Sequence, residues 1–347
     1  FTVAFPSFAF SGGDGSEEAP YLIANFSDWY EMVNQATSYS HYRLISDIAI
    51  ETYSINTNIQ GTFNGFLHGE GHALFLPESI DRSFFFLDWG FFSLLPQVNG
   101  HIDSIKTTGE LSYMFAITAS LSNEGEISDC TNSANVTISE EFYSVGYAFF
   151  AIDNCGRIKN CINLGNITFE NNVDTWNRVY AGGISSYNLE GEIIGCKNYG
   201  NITGFFASGG ICAINYGTIK NCANYGDVLS PQDVEFDYIS LVAYPTGGIY
   251  AVTYLSEDYD TYATNIENCV NYGRVNAGKL FSGGGIAGGG SHDVTMPLNT
   301  NENIVNCANY GEIIGGKYLG GILGVASVGT NISSCYNAGH VNSATSS

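Results

Sequence analysis

Over the last two-thirds of the chain, apolar positions return in short runs set in one repeated frame, Ile-x-x-Cys-x-Asn-x-Gly-x-Ile or Val. Seven copies carry Cys130, Cys161, Cys196, Cys222, Cys269, Cys307 and Cys335, and the fullest runs from Ile219 to Val228. A Gly-Gly-Ile element precedes most copies, at Gly182-Gly183-Ile184, Gly209-Gly210-Ile211, Gly247-Gly248-Ile249, Gly284-Gly285-Ile286 and Gly320-Gly321-Ile322. The tightest repeat covers the 26 residues from Cys196 to Cys222 and divides into three short strands: Gly210 to Ile214, Thr218 to Cys222 and Asp227 to Leu229. Self-similarity at this period marks a stacked, quasi-one-dimensional fold. Three short strands per coil describe a parallel β-helix, in which each strand bonds to its counterparts above and below. The glycines supply left-handed or close-packed corners.

Equivalent positions on neighbouring coils lie about 4.8 Å apart, so side chains that recur in the frame form rows. The cysteines read as small buried hydrophobes in an interior stack. A disulfide between neighbouring coils is disfavoured because the two Cβ vectors would run nearly parallel. Nine cysteines is an odd number, and metal-type Cys-x-x-Cys spacing does not occur. Cys155 and Cys212 lie off the row and stay open. The asparagines after each cysteine, Asn132, Asn163, Asn198, Asn224, Asn271, Asn309 and Asn337, predict a turn ladder whose amides bond to the next coil. Tyr199, Tyr225, Tyr272 and Tyr310 are expected to stack beside it in a structural role.

The first third is less regular. Ser27 to Ala36 predicts a short amphipathic helix with Ser27 as N-cap and Glu31 in its first turn. Such a helix would close the open end of the coil stack, where strand edges are otherwise unpaired. Tyr42 to Ile50 predicts a strand, and Gly61 to Leu74 an early glycine-cornered coil. The expected division is therefore 1–75, cap and first coils, and 76–347, repeat coils, in one continuous solenoid of ten to twelve turns. The crossover rule leads to the expectation of a right-handed winding. The apolar opening Phe1 to Phe10 reads as a signal-peptide remnant or a strand covering the first coil.

Composition narrows the partners. The chain has 34 acidic against 11 basic residues, a formal charge of −23, which repels phosphate backbones and argues against nucleic acid. The acidity suits divalent cations or, more plainly, the solubility of a long secreted rod. The sequence contains no apolar run of the roughly 18–20 residues a membrane span needs, so insertion in a membrane is not expected.

The alternating Gly-Gly-Ile and Ile-x-x-Cys-x-Asn-x-Gly-x-Ile elements resemble the GLUG-type repeats of bacterial surface proteins. The stretch from Gly13-Asp14-Gly15 through Pro20 to Ile23, then Leu44 to Ile48 and Phe63 to Leu74, resembles the N-terminal region of such proteins. Ala134 replaces the glycine in the Cys130 copy, and no Gly-Gly pair precedes Cys155. The resemblance implies a secreted or cell-surface protein of the adhesin type. Some relatives join such repeats to a metallopeptidase domain, but this chain has no His-Glu-x-x-His.

Chemistry is sparse in the motifs. Arg157-Ile158-Lys159 is similar to a polygalacturonase motif, but that family's paired aspartates and Gly-His-Gly are missing, and Thr218-Ile219-Lys220 fills the same repeat position. Coincidence within the repeat is the preferred reading, and His68 and His72 are read as turn residues. Spacing between Gly-Gly-Ile and Cys is more informative, at 12, 11, 20, 21 and 13 residues along the chain. Successive coils thus carry insertions near 252–265 and 288–303, and others near 169–180 and 229–246. Loops on a rigid scaffold are where binding concentrates. The paired insertions hold Glu257, Asp258, Tyr259, Asp260, Tyr262, His292 and Asp293, a candidate calcium site or sugar-binding face. Glycosylation sequons stand at Asn25, Asn135, Asn166, Asn201 and Asn331. The leading expectation is a non-catalytic extracellular module for adhesion or display, binding a glycan or a surface protein. A self-assembling filament subunit is the second reading, and a carbohydrate-active lyase or hydrolase the third.

Overall fold

The computed structural model describes residues 10–35, 39–51, 61–78, 91–138, 145–169, 179–204, 206–230, 245–253, 263–278, 282–290, 301–327 and 329–343. Among them, the strands form five parallel sheets of 11, 10, 9, 8 and 6 members. In every sheet, consecutive members come from consecutive coils, which makes the molecule a parallel β-helix. The largest sheet begins at Tyr21–Ile23 and ends at Asn331–Ser333. Ten steps of about 4.8 Å place its two ends roughly 48 Å apart.

Each regular coil holds five short strands where the repeat pattern predicted three. In the tightest coil they are Ala207–Gly209, Cys212–Asn215, Thr218–Lys220, Ala223–Asn224 and Val228–Leu229. The two added strands are Ala207–Gly209, ahead of the Gly-Gly-Ile bend, and Ala223–Asn224, beyond a corner just before the cysteine. Asp129, Asn160, Asn221, Asn268, Asn306 and Ser334 there have φ of 53° to 56°. This left-handed turn suits a short polar side chain, ends the strand expected to reach Cys222 at Lys220, and turns the chain into a different sheet at Ala223–Asn224. The Gly-Gly pairs answer a different need. A Cβ on Gly248 would lie 2.1 Å from the carbonyl oxygen of Gly285 on the next coil, so the requirement is close packing of backbones.

Among the described residues, the main apolar cluster of the interior runs from Ile23 to Cys307, and a smaller one gathers Ala207, Ala213, Ile214, Ala251 and Val252. The main cluster's regular element is the inward residue of eight consecutive strands in the largest sheet, Leu67, Ile102, Ile127, Ile158, Ile193, Ile219, Ile266 and Ile304, all almost fully buried. All nine cysteines are free thiols, and the repeat cysteines from Cys130 to Cys307 are buried. Cys212 is buried and Cys155 half-buried. Burial pushes the thiols of Cys161, Cys222 and Cys269 well above the ordinary range.

The helix spans Phe26–Asn34, and its N-cap is Asn25, not Ser27. Asn25 Oδ1 accepts from the Asp28 N–H at 3.1 Å, and Asp28 Oδ2 accepts in return from Asn25 Nδ2, the Ala24 N–H and Ser11 Oγ. That reciprocal exchange satisfies helix-start donors that Ser27 could reach only by starting the helix later. Trp29, Met32 and Val33 are buried in the central cluster, so the helix covers the first coil. Each such side chain contributes about 1.5–3 kcal/mol of apolar burial. Behind it, the expected strand from Tyr42 to Ile50 is two strands, His41–Leu44 and Ile48–Ala49, in different sheets.

Candidate functional site

The insertion-loop residues Glu257, Asp258, Tyr259, Asp260, Tyr262, His292 and Asp293 lie outside the described residues, and so does the candidate calcium site they would form. Among the described residues, no group of His, Cys, Asp and Glu is arranged to hold a metal ion.

The repeat asparagines form a continuous ladder. From Asn132 to Asn337, each Nδ2 donates to the Oδ1 of the asparagine one coil on, at 2.7–2.8 Å. The second Nδ2 proton goes to a local carbonyl two residues on, such as Gly226 O from Asn224. Outside this ladder, Tyr199, Tyr225, Tyr272 and Tyr310 stack with centroids 4.6, 4.9 and 5.3 Å apart and planes within 9°. These rings are 41–50% exposed. Their faces are spent on one another, leaving edges and hydroxyls for solvent. The sequon amides are likewise engaged: Asn135 Oδ1 accepts from Asn166, Asn166 Oδ1 from the Asn201 N–H, and Asn201 Oδ1 from the Asp227 N–H. Asn331 donates to Asn303 at 3.3 Å.

The densest polar chemistry stands on the outer face of the largest sheet. Because the middle residue of each strand points inward, the residues on either side point out. Register therefore aligns Phe66, His101, Glu126 and Arg157 in one row, and His68, Asp103, Ser128 and Lys159 in the next. His68 Nδ1 is 2.8 Å from Asp103 Oδ2. Glu126 Oε2 is held by Lys159 Nζ at 2.7 Å and Arg157 Nε at 3.2 Å. His101 lies between the two acids, its Nδ1 3.7 Å from Glu126 Oε1 and its Nε2 3.6 Å from Asp103 Oδ2. Ser128 Oγ is 3.4 Å from the same Nε2. At one edge the His41 ring stacks on Phe66, centroids 4.4 Å apart.

One expectation changes here. His68 belongs to the strand Phe66–His68, while His72 does occupy a turn, bound to Asp47 at 3.2 Å. Arg157 and Lys159 join the cluster as ion-pair partners, because register carries their side chains onto Glu126 of the preceding coil. His101, Asp103, Glu126 and Ser128 were missed by motif reading. Superposing the x-Ile-x strands of successive coils would have found them, since that alignment supplies both rows.

Ser128, His101 and Glu126 have the outline of a nucleophile, base and orienting acid. Their separations of 3.4 and 3.7 Å exceed the usual 2.6–3.2 Å. Ser128 is only 6% exposed. Neighbouring backbone donors are spent between coils: Asp129 N–H on Lys159 O and Ser104 N–H on Ser128 O. What the face offers is a fixed array of acceptors and donors. Two titratable groups lie apart from it. Burial raises the Asp153 carboxyl to about 6. Glu302, fully buried, accepts from the Tyr250 and Thr330 hydroxyls, and burial raises its pKa.

Fold and surface together define a β-helical rod with ladder-bonded faces. No family model matches the chain, and no curated protein matches it. Among solved structures it is similar to a candidate immunoglobulin A1 protease from Bacteroides ovatus, with 16% identity and a TM-score of 0.50 over 79% of this chain and 80% of that one. It is also similar to an IgA1 protease, with 15% identity and a TM-score of 0.54 over 82% of this chain and 21% of that one. The chain thus spans about a fifth of the second protein's length. At these identities the likeness establishes a shared fold. Among the described residues, no helix is long and apolar enough to cross a membrane.

Proposed function

We propose that the chain is a non-catalytic extracellular module, a rigid rod that presents binding faces for adhesion or surface display. The state of the polar face carries this reading. Both of its carboxylates are committed to bases on neighbouring coils, and its one histidine-linked hydroxyl is sealed at Ser128. Such a surface can recognise a ligand without reorganising, which lowers the cost of binding. A hydrolase would need a free acid–base pair or an accessible nucleophile. The resemblance of the repeats to GLUG-type motifs and the fold shared with the IgA1 protease-like structures agree with an extracellular setting. They also suggest immunoglobulin A1 as one ligand to try.

The test is incubation of the full chain with immunoglobulin A1 and a polysaccharide panel, reading both capture and product formation. Saturable capture without cleavage supports the module. Turnover of any substrate that is lost on Ser128→Ala or His101→Ala overturns it and favours an enzyme.

The filament reading draws on one specific observation. In the last described coil, Ile332 and Val341 are 44% and 40% exposed, although their counterparts Ile304 and Ile313 are fully buried. That edge would accept another strand, whether from a following coil of the same chain or from a second copy. Light scattering and negative-stain imaging, with and without residues 1–12, decide it. Filaments lost on truncation support an assembly subunit, and a monomer in both forms removes that reading.

A further inference from the structure

Building on the reading of the chain as a binding module, we propose that the outer face centred on His101 binds a neutral saccharide chain. The assignment comes from how its groups combine. Phe66 is 38% exposed and braced by His41, so it offers an apolar surface to the C–H face of a sugar ring. One and two coils further on stand Asp103 and Glu126. A carboxylate has about four acceptor positions. Asp103 uses one on His68, and Glu126 uses part of its set on Arg157 and Lys159, so both retain acceptors for sugar hydroxyls. The Arg157 side chain is 50% exposed and keeps further N–H donors for ring or hydroxyl oxygens. The ion pairs hold these groups in place before any ligand arrives, so little side-chain freedom is lost on binding.

Charge selects the ligand class. Asp103 and Glu126 together offset Arg157 and Lys159, and the whole chain carries −23, so a polyanion would meet net repulsion. A protein partner is disfavoured because interfaces of that kind need a buried apolar core, and among the described residues Phe66 is the single large apolar residue exposed on this part of the face. The tyrosine row is a poorer sugar platform, since Tyr225 and Tyr272 carry a stacked ring on both faces, whereas Phe66 carries the His41 ring on one.

Affinity electrophoresis tests this with the full chain in native gels containing mannan, dextran or arabinogalactan. Polygalacturonate serves as the polyanion comparator, and a printed oligosaccharide array extends the panel. The expected result is retardation by at least one neutral polysaccharide and none by polygalacturonate. Phe66→Ala and Asp103→Asn should each weaken that retardation about tenfold, whereas Tyr225→Ser should leave it unchanged. Circular dichroism of each variant establishes that the coil stack is intact. Failure of every neutral glycan overturns the proposal, as does binding insensitive to both Phe66→Ala and Asp103→Asn, or a preference for polygalacturonate. If immunoglobulin A1 stripped of its glycans is captured while all saccharides fail, the saccharide face is overturned and the module reading stands.

Discussion

Replacing Asn224 with alanine removes one rung from the middle of the amide ladder, and the structure states what is lost. Asn224 Nδ2 donates to Gly226 O and to Asn271 Oδ1, both at 2.8 Å, and its Oδ1 accepts from Asn198 Nδ2 at 2.8 Å. The side chain is fully buried, so water cannot take these places. Three bonds at a net ~1 kcal/mol each, together with groups on Asn198 and Asn271 left unpaired away from water, give a loss of about 3–5 kcal/mol. Asn337 is the internal control. It accepts from Asn309 and donates to Gly339 O, but it sits exposed in the last described coil. Water replaces its partners there, and Asn337→Ala should cost about 1 kcal/mol or less. The assay is urea unfolding of the full chain followed by far-ultraviolet circular dichroism, comparing midpoints and slopes. Asn198→Ala combined with Asn224→Ala should cost less than the two singles added, because the pair shares one bond. Equal midpoint shifts for Asn224→Ala and Asn337→Ala would refute the reasoning, because the ladder would then contribute nothing through burial.

Other predictions follow from burial and titration. Glu302 has a raised pKa in the folded chain, so its stabilising contribution is complete below its unfolded value near 4.5 and is lost as pH rises through the folded value. Glu302→Gln should therefore gain melting temperature relative to the parent as pH increases above that point; a gap that stays constant with pH refutes this. The Asp153 carboxyl, raised to about 6, should show an NMR titration midpoint near that pH, and its contribution to stability should fall as pH rises from about 4 through 6. A midpoint at or below 4 would contradict its burial. With iodoacetamide, Cys155 and Cys335, the half-buried thiols, should be alkylated before the other seven, and slowly at neutral pH because both pKa values are raised. Peptide mass spectrometry reads the order, and early labelling of Cys222 would be incompatible with an intact stack.

The architecture was legible because a solenoid writes its repeat into the chain: the same residue types return wherever the same corner or interior position returns. The Cys and Asn rows show this most directly. The corners were less legible. Asn221 and Asn268 look like ordinary strand residues until backbone angles reveal a left-handed turn, and their counterparts Asp129 and Ser334 share no single residue type. Ser27 looked like the helix cap because it is a good capping residue next to the apolar run. The choice of Asn25 depends on Asp28 also receiving bonds from Ser11 and Ala24, and Ser11 is a contact far off in sequence.

By itself the sequence determined that the chain coils, which residues line the interior, and that the surface is strongly acidic, because these follow from periodicity and composition. Only the tertiary structure decided that His68, His101, Asp103, Glu126, Arg157 and Lys159 form one face. Those residues are spread over nearly a hundred positions and sit in no common motif. What unites them is inter-coil register, which is set by backbone hydrogen bonds and interior packing. Side chains whose strands are far apart along the chain come to stand about 4.8 Å apart on adjacent coils.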